Sequence, residues 1–353
     1  MTFKKMGIFM LCITLSLLVI AGGFTIVFDP FFHYHAPFEH QRYVLHGINE
    51  RYYNDGIARN FSYDAMITGT SMTENFKASE FDQLFGVTSI KVPFSGASYL
   101  EIDQFIKRTI DYQPNLKLII RSLDLSYIWN DKDYLEYEDY PDYLYDDNAW
   151  NDVQYIFNKD VLFSHSLPVA SRTFRNIPST TQDEYANWND EYTFGKEAVL
   201  SAYNRREKIA PEQAFTEEDR EHICATIEQN VLKTVEENPN IQFYLFLPQN
   251  SIIYWDSLCR EGTLKRQLVA QELAINMMLE FDNIHLYSFV SDFETVCDLS
   301  NYKDYAHYSE EINSRILKCM KNEEFLLTKE NCEDYFQSVY SFYTEYPYDS
   351  IFE

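Results

Sequence analysis

The stretch Asp64-Ala-Met-Ile-Thr-Gly-Thr-Ser71 joins a short apolar run to a glycine and a serine. Residues 64–68 (DAMIT) are typical of a buried β-strand, and the segment Ser71–Phe85 that follows is predicted to be a helix. Gly69 permits the sharp turn between the two elements. A strand that passes directly into a helix is the repeating unit of a parallel α/β sheet.

The same alternation continues along the chain. Further apolar runs predict strands at Val87–Phe94, Leu116–Arg121, Ile241–Leu247 and Ile284–Phe289. Helices are predicted at Ser98–Tyr112, Glu217–Glu237 and Gly262–Phe281. Because the strands are continuously apolar and alternate with helices, the sequence predicts an α/β fold with a parallel sheet covered on both faces.

A long insertion, about 125–211, separates the third predicted strand from the fourth. It is rich in Tyr, Asp, Asn and Trp, and this aromatic content argues against disorder. We expect it to fold over the top of the sheet. Its composition suits sugar binding through ring stacking and bidentate hydrogen bonds, and equally suits a wet, half-buried lid. Its acidic run lacks the D-x-D-x-D-G pattern of a calcium loop.

The N-terminal part of the chain contains an uncharged apolar run, Gly7–Phe28, which is long enough to cross a hydrocarbon core of roughly 30 Å. We expect an uncleaved transmembrane anchor, and the alternative is a cleaved signal peptide. The predicted organisation is a cytoplasmic stub and anchor at 1–28, a juxtamembrane segment at 29–63, a catalytic-type domain at 64–320 and an acidic, aromatic C-terminal tail at 321–353.

The distribution of charge predicts the orientation of this anchor. Lys4 and Lys5 precede the span and Asp29 follows it, so the positive-inside rule places the N-terminus in the cytoplasm and the main domain outside. The formal net charge of −26 repels nucleic acid, which argues against a nucleic-acid partner.

Cysteines and histidines give no metal or cofactor signature. The six cysteines have no C-x-x-C pair, so we expect no zinc site, although one or two disulfides could form outside the cytosol. His33, His35 and His40 follow the span among aromatic residues, and an interfacial anchor explains them better than a metal site. No cofactor is predicted.

Three D-x-x-H patterns occur in the chain, and their positions separate them. Asp219 and His222 belong to a charged helical run, and Asp282 and His285 flank the start of the fifth strand. Asp304 and His307 follow that strand, at the carboxyl edge of the sheet, where open α/β sheets bind ligands. These two residues are therefore the predicted orienting carboxylate and general base.

Ser71 is the predicted nucleophile because it follows the first strand at the same edge. The start of the next helix there supplies free amide donors for a developing oxyanion. Ser98 and its neighbour Ser95 are rivals after the second strand, and the alternative for every such serine is a helix cap.

These motifs resemble the SGNH, or GDSL-type, hydrolase superfamily. GTSM at 69–72 occupies the place of the GDS block, Gly96 in PFSGAS that of the oxyanion glycine, and Asp304 with His307 that of the last block. The similarity spans roughly 64–317, apart from the insertion. It implies a flavodoxin-like three-layer sheet, a Ser71-His307-Asp304 triad, and an oxyanion hole built from the amides of Ser71 and Gly96.

Two positions depart from the family pattern. Thr70 stands in place of the usual Asp of the GDS block. The third block's asparagine is missing, because the third strand is followed by the sequence Arg121-Ser-Leu-Asp124. Asn75 and Asn250 are the candidates for a substitute donor.

A single N-terminal anchor on such a domain is similar to membrane-anchored acyl-transfer proteins, among them the D-alanine transfer protein of teichoic acid systems and the alginate O-acetyltransferases. The resemblance implies acylation of a surface glycan or wall polymer beside a membrane-bound O-acyltransferase. An anchored glycan esterase with the same triad is one alternative. A non-catalytic cell-surface binding or scaffold protein is the other.

Overall fold

The computed structural model describes residues 2–47, 50–137 and 140–352. The chain divides into two compact units. The N-terminal unit comprises Met1–Ser62 and Asp139–Tyr185, and the sheet unit comprises Tyr63–Glu138 and Ala186–Glu353. The expected insertion at 125–211 is thus shared between the units, because its middle part groups with the N-terminal segment.

The sheet unit contains a six-stranded sheet in the order β2-β1-β3-β4-β5-β6. Its strands are β1 Ala65–Gly69, β2 Ser89–Pro93, β3 Leu118–Ser122, β4 Gln242–Leu247, β5 Ile284–Ser288 and β6 Leu326–Leu327. The first five strands pair in parallel and β6 is antiparallel to β5. Every residue of β1 and β2 is buried. The predicted α/β fold with a mostly parallel sheet is confirmed, and the two-residue β6 was too short to predict.

Fourteen α-helical segments are present in the described part of the chain. They are α1 Phe3–Phe28, α2 Glu50–Asn60, α3 Ala78–Phe85, α4 Tyr99–Tyr112, α5 Val153–Ile156, α6 Leu167–Phe174, α7 Lys196–Ala202, α8 Glu217–Ile227, α9 Lys233–Glu237, α10 Ile252–Glu261, α11 Leu264–Met278, α12 Phe293–Cys297, α13 Glu310–Lys321 and α14 Cys332–Glu345.

Two predicted helices are interrupted, and each interruption accompanies a contact that is distant in sequence. The segment Ser71–Phe85 forms a short 3₁₀ turn before α3, and the Lys91 ammonium donates to the Glu74 carbonyl in the gap. Between α8 and α9 the chain makes a π-helical turn, Glu228–Leu232. There the buried Arg121 guanidinium donates to the Asn230 carbonyl at 2.8 Å, within a turn whose backbone hydrogen bonds span more residues than those of an α-helix.

Gly69 is the last residue of β1, and its backbone conformation would be strained in any residue that has a side chain. Its φ is +146°, and a Cβ built there would lie 2.2 Å from Ser122 Oγ and 2.8 Å from Thr73 Cγ2. The glycine therefore lets the chain turn tightly between β1 and the residue that follows it towards Ser71.

Gly69→Ala is expected to lower the free energy of unfolding by about 1–3 kcal/mol, because it combines overpacking with a disfavoured backbone. Gly86→Ala is the matched control. Gly86 also has a positive φ, +70°, but nothing lies within 4 Å of its built Cβ, so only the backbone cost remains. Urea unfolding of the detergent-solubilised full chain, followed by tryptophan fluorescence, measures both. Equal losses would show that the space around Gly69 does not matter.

α1 is long and apolar enough to cross a membrane, and it contains the whole predicted span. It ends at Asp29, a buried residue with φ +33°. The Asp29 carboxylate accepts the backbone N–H groups of His33, Tyr34 and His35 and the hydroxyl of Tyr155. Burial raises the pKa of this carboxyl, although these hydrogen bonds act against the shift. Asp29 thus fixes the turn by which the chain leaves α1.

The histidines after α1 make structural contacts. His33 Nε2 lies 3.2 Å from an Asp152 carboxylate oxygen, and the His35 ring stacks on Phe38. Within the described residues, no group of three or more His, Cys, Asp or Glu side chains is placed to hold a metal ion. All six cysteines are free thiols, so the disulfides allowed by the sequence do not form in this structure.

The segment 321–353, expected as a tail, is folded into the sheet unit. It supplies β6 and α14. Tyr343 in α14 is fully buried and stacks on Trp255 with ring centroids 3.8 Å apart. Large aromatic rings buried in this way contribute strongly to the stability of a core.

Candidate active site

The predicted serine and histidine lie within hydrogen-bond distance. Ser71 begins the 3₁₀ turn at the carboxyl end of β1 and is half-buried. Its Oγ lies 2.8 Å from His307 Nε2, although 236 positions separate the two residues in the sequence. The distance falls in the range expected for a nucleophile and its base, roughly 2.6–3.2 Å.

Asp304 holds the other nitrogen of the same imidazole. Its carboxylate oxygens lie 2.8 and 3.0 Å from His307 Nδ1. One of these oxygens also accepts the backbone N–H groups of Ala306 and His307, each at 2.8 Å. The short loop that joins the two residues therefore fixes the carboxylate and the ring together.

The pKa of Asp304 reflects these contacts. Burial alone would raise it, but hydrogen bonds and charge from His307, together with the backbone donors of His307 and Ala306, outweigh burial and hold the pKa below its usual value. The carboxylate is thus ionised at neutral pH and accepts a hydrogen bond from the N–H group at His307 Nδ1. This fixes the tautomer in which Nε2 is free to accept the Ser71 proton.

The other two D-x-x-H pairs have structural partners. Asp219 forms a two-pronged ion pair with Arg266, and His222 Nε2 lies within 3.0 Å of two backbone carbonyls. His285 pairs with Gln242 and stacks on Tyr244. Of the three pairs, Asp304 and His307 are the one whose histidine lies within hydrogen-bond distance of Ser71.

The loop after β2 brings Gly96 into the sheet unit's carboxyl edge in a turn with φ +67°. Tyr137 and Tyr127 hydroxyls lie 3.0 and 3.8 Å from the position a Gly96 Cβ would take. Within the described residues the backbone N–H groups of Ser71 and Gly96 donate to no protein acceptor, as an oxyanion hole formed by these amides would require. The rival Ser98 is buried and caps α4 in a full capping box.

A buried carboxyl, Asp124, lies behind the nucleophile. It accepts the Thr70 hydroxyl at 2.8 Å and the Ser122 hydroxyl at 3.2 Å. Burial raises its pKa, and the hydrogen bonds of these hydroxyls and the charge of His307 offset part of the rise. Asp124 occupies the loop after β3 where the resemblance expects an asparagine. It positions Thr70, the residue before Ser71.

The contacts of Asn75 and Asn250 do not identify either residue as a further oxyanion donor. The Asn75 side-chain carbonyl accepts the Trp188 backbone N–H at 3.0 Å, and its buried amide nitrogen has no partner among the described residues. Asn250 is buried in the loop after β4.

Trp188 is a site residue that the sequence did not reveal. Its ring packs edge-on against His307, with centroids 5.8 Å apart, and its Nε1 donates to Glu74 at 2.6 Å. The Lys303 ammonium lies 3.7 Å from the ring centres of Trp188 and Tyr192, and burial lowers the pKa of that lysine. Trp188 thus forms a wall beside the base. Trp188 lies in the long insertion, and no local sequence pattern there predicts its contact with His307.

The arrangement is suited to nucleophilic chemistry at a carbonyl carbon. It combines a half-buried serine, an oriented imidazole and, within the described residues, backbone donors without a protein acceptor at the edge of a parallel sheet. In comparisons with known proteins, no family model matches the chain and no curated protein matches it.

Proposed function

We propose that the chain is an extracytoplasmic acyltransferase that moves an acyl group onto a hydroxyl of a cell-surface glycan or wall polymer. The proposal is carried by one set of contacts: Ser71 Oγ to His307 Nε2, and His307 Nδ1 to the Asp304 carboxylate, each 2.8 Å. A serine, a base and an orienting carboxylate in this order perform acyl transfer by double displacement.

In the first half of the reaction, His307 Nε2 removes the Ser71 proton while Oγ attacks the carbonyl carbon of the donor. The tetrahedral oxyanion is bound by the amides of Ser71 and Gly96. When the carbon–leaving-group bond breaks, His307 returns the proton to the leaving group and an ester remains on Ser71. In the second half, His307 deprotonates the acceptor hydroxyl, which attacks that ester, and the proton returns to Ser71 as the product leaves.

The proposal treats the sheet unit as a flavodoxin-like domain of SGNH type. The parallel order β2-β1-β3-β4-β5 is the flavodoxin order. Ser71, Gly96 and His307 lie in loops that follow β1, β2 and β5, as the resemblance expects. Asp124 supports the same site with a carboxyl in place of the family's asparagine.

The proposal places this domain outside the cell. Lys4 and Lys5 precede the apolar part of α1, which favours a cytoplasmic N-terminus with α1 as the anchor. A membrane-bound O-acyltransferase would then be the partner that supplies acyl groups from across the bilayer. Attachment at the surface keeps the domain beside both donor and polymer.

Hydrolysis of a glycan ester is the second candidate, since the same residues serve it. Ser71 and His307 are both partly exposed, so water reaches the site as an acceptor. The esterase and the transferase differ only in what attacks the ester on Ser71.

Incubation of the detergent-solubilised full chain with p-nitrophenyl acetate and a saccharide acceptor tests the proposal. We expect p-nitrophenol release above the buffer rate and an acetylated saccharide detected by mass spectrometry. Release of acetate alone, with neutral and anionic saccharides both tried, would favour the esterase. No release above buffer would favour a non-catalytic binding protein.

A further inference from the structure

A cavity of about 480 Å³ in the sheet unit is lined in part by the loop that carries Asp304 and His307. Tyr305, which lines it, sits in the loop between Asp304 and His307. Ser126, on the lining too, follows Asp124 by two residues in the loop after β3. The two loops that position the base and support the nucleophile therefore also form walls of this cavity.

Aromatic rings dominate the lining. Trp129, Tyr203, Tyr254 and Tyr305 contribute to it, and the rings of Tyr254 and Tyr305 are nearly parallel at 10° with centroids 6.3 Å apart. Tyr305 is 47% exposed, so its ring is available to a ligand. Flat rings with a polar edge pack against the apolar faces of a ring-shaped ligand while its polar groups stay hydrated.

Hydrogen-bonding groups accompany these rings. The Ser126 hydroxyl and the Asn204 amide line the cavity and have no partner within the described residues. Gln267, in contrast, is satisfied: it accepts from Trp129 Nε1 and donates to the Leu125 carbonyl. It locks the Trp129 ring in place. The free polar groups are neutral, and they suit hydroxyl groups as partners.

The charges on the lining argue against an anionic ligand. Arg266 is the cation among the lining residues, and its guanidinium is already paired with Asp219 at 2.6 and 3.0 Å and stacked on Trp129 at 4.1 Å. Glu261 adds a negative charge to the lining. A polymer of phosphates or carboxylates would be repelled by the Glu261 carboxylate, and no unpaired cation among the described lining residues would compensate for this repulsion.

We infer that this cavity is an acceptor subsite for a neutral, hydroxyl-rich saccharide, one hydroxyl of which attacks the acyl group on Ser71. The role of the cavity as an acceptor subsite rests on the proposed acyl transfer, but the binding of a saccharide there does not. The inference narrows the acceptor class from any surface polymer to an uncharged glycan, and it assigns the stacking surface to the exposed ring of Tyr305.

Saccharide binding to the detergent-solubilised full chain tests the inference without any acyl donor. The probes are cellotetraose and chitotetraose as neutral saccharides, tetragalacturonate as an anionic one, and decanoate as an acyl chain. We expect saturable binding of a neutral tetrasaccharide, seen by isothermal titration calorimetry. Tyr305→Ala is expected to weaken it by about 3- to 10-fold, as loss of one packed ring would, whereas Tyr305→Phe keeps most of it.

Tyr340→Ala is the matched control, since Tyr340 lies in α14 of the same unit and is 43% exposed. Its binding should equal that of the wild type. Ser71→Ala should also bind, because saccharide binding does not require the nucleophile. Saccharide binding by a wild-type chain that shows no acyl transfer would overturn the proposed function and spare the inference. The inference is overturned if both neutral probes fail to bind, if only tetragalacturonate or decanoate binds, or if Tyr305→Ala binds like the wild type.

Discussion

Ser71→Ala is expected to abolish covalent labelling by a fluorophosphonate probe and to reduce acyl transfer by about a thousandfold or more. The probe needs an oxygen nucleophile whose proton is taken by an adjacent base, and Ser71 Oγ at 2.8 Å from His307 Nε2 is such an atom. Alanine removes the oxygen and leaves the loop after β1 otherwise intact. Labelling of the detergent-solubilised chain is measured by in-gel fluorescence, and the modified peptide by mass spectrometry.

Ser98→Ala provides the matched control for this prediction. Ser98 also follows a strand in a G-x-S sequence, but its side chain accepts the Glu101 N–H as a helix cap. Its loss is expected to cost about 1 kcal/mol of stability. Labelling should remain at the wild-type level. Equal labelling of Ser71→Ala and wild type, or a modified peptide that contains another serine, would contradict the proposed nucleophile.

The sequence was sufficient for those parts of the fold that local patterns encode. Each of the five longer strands is mostly apolar, and their burial in the sheet follows from that composition. Once the strands are placed in parallel, the residues just after β1 and β5 must share one edge. That geometric argument brought Ser71 and His307 together, although a D-x-x-H pattern by itself could not.

Features that depend on contacts distant in sequence were not predictable. The break in the helix after Ser71 accompanies a bond from Lys91, and the π turn after α8 accompanies one from Arg121. Periodicity reports only the local preference of each segment, which was helical in both cases. Both segments have the amphipathic pattern of a helix, but the continuous α-helical hydrogen bonding predicted for them is interrupted.

The residues that surround the candidate triad were equally difficult to predict, because their contacts are distant in sequence. Asp124 was noted only because an asparagine was missing, and its hydrogen bonds to Thr70 and Ser122 depend on how β1 and β3 are paired. Trp188 reaches His307 from an insertion of irregular structure. A sequence signal existed for Asp124, since it follows a buried strand at the carboxyl edge. None existed for Trp188.

Asp304→Asn is expected to lower the rate of probe labelling and of acyl transfer by about 10³–10⁴-fold without abolishing them. The amide oxygen of asparagine can still accept the backbone N–H groups of Ala306 and His307, so the loop keeps its shape. Its NH₂ group, however, would face His307 Nδ1 and favour the tautomer with the proton on Nε2. That tautomer cannot take the Ser71 proton.

The pKa of Asp304 determines the pH at which this prediction is tested. Because the pKa of Asp304 is held below its ordinary value of 3.8, the carboxylate stays ionised across the neutral and mildly acidic range. Any stability that it contributes is present above that value and is lost as the pH falls further. Labelling rates at pH 7 compare Asp304→Asn with the control Asp298→Asn, an exposed carboxylate that caps a nearby turn. A rate for Asp304→Asn within a few-fold of the control would mean that Asp304 does not orient the base.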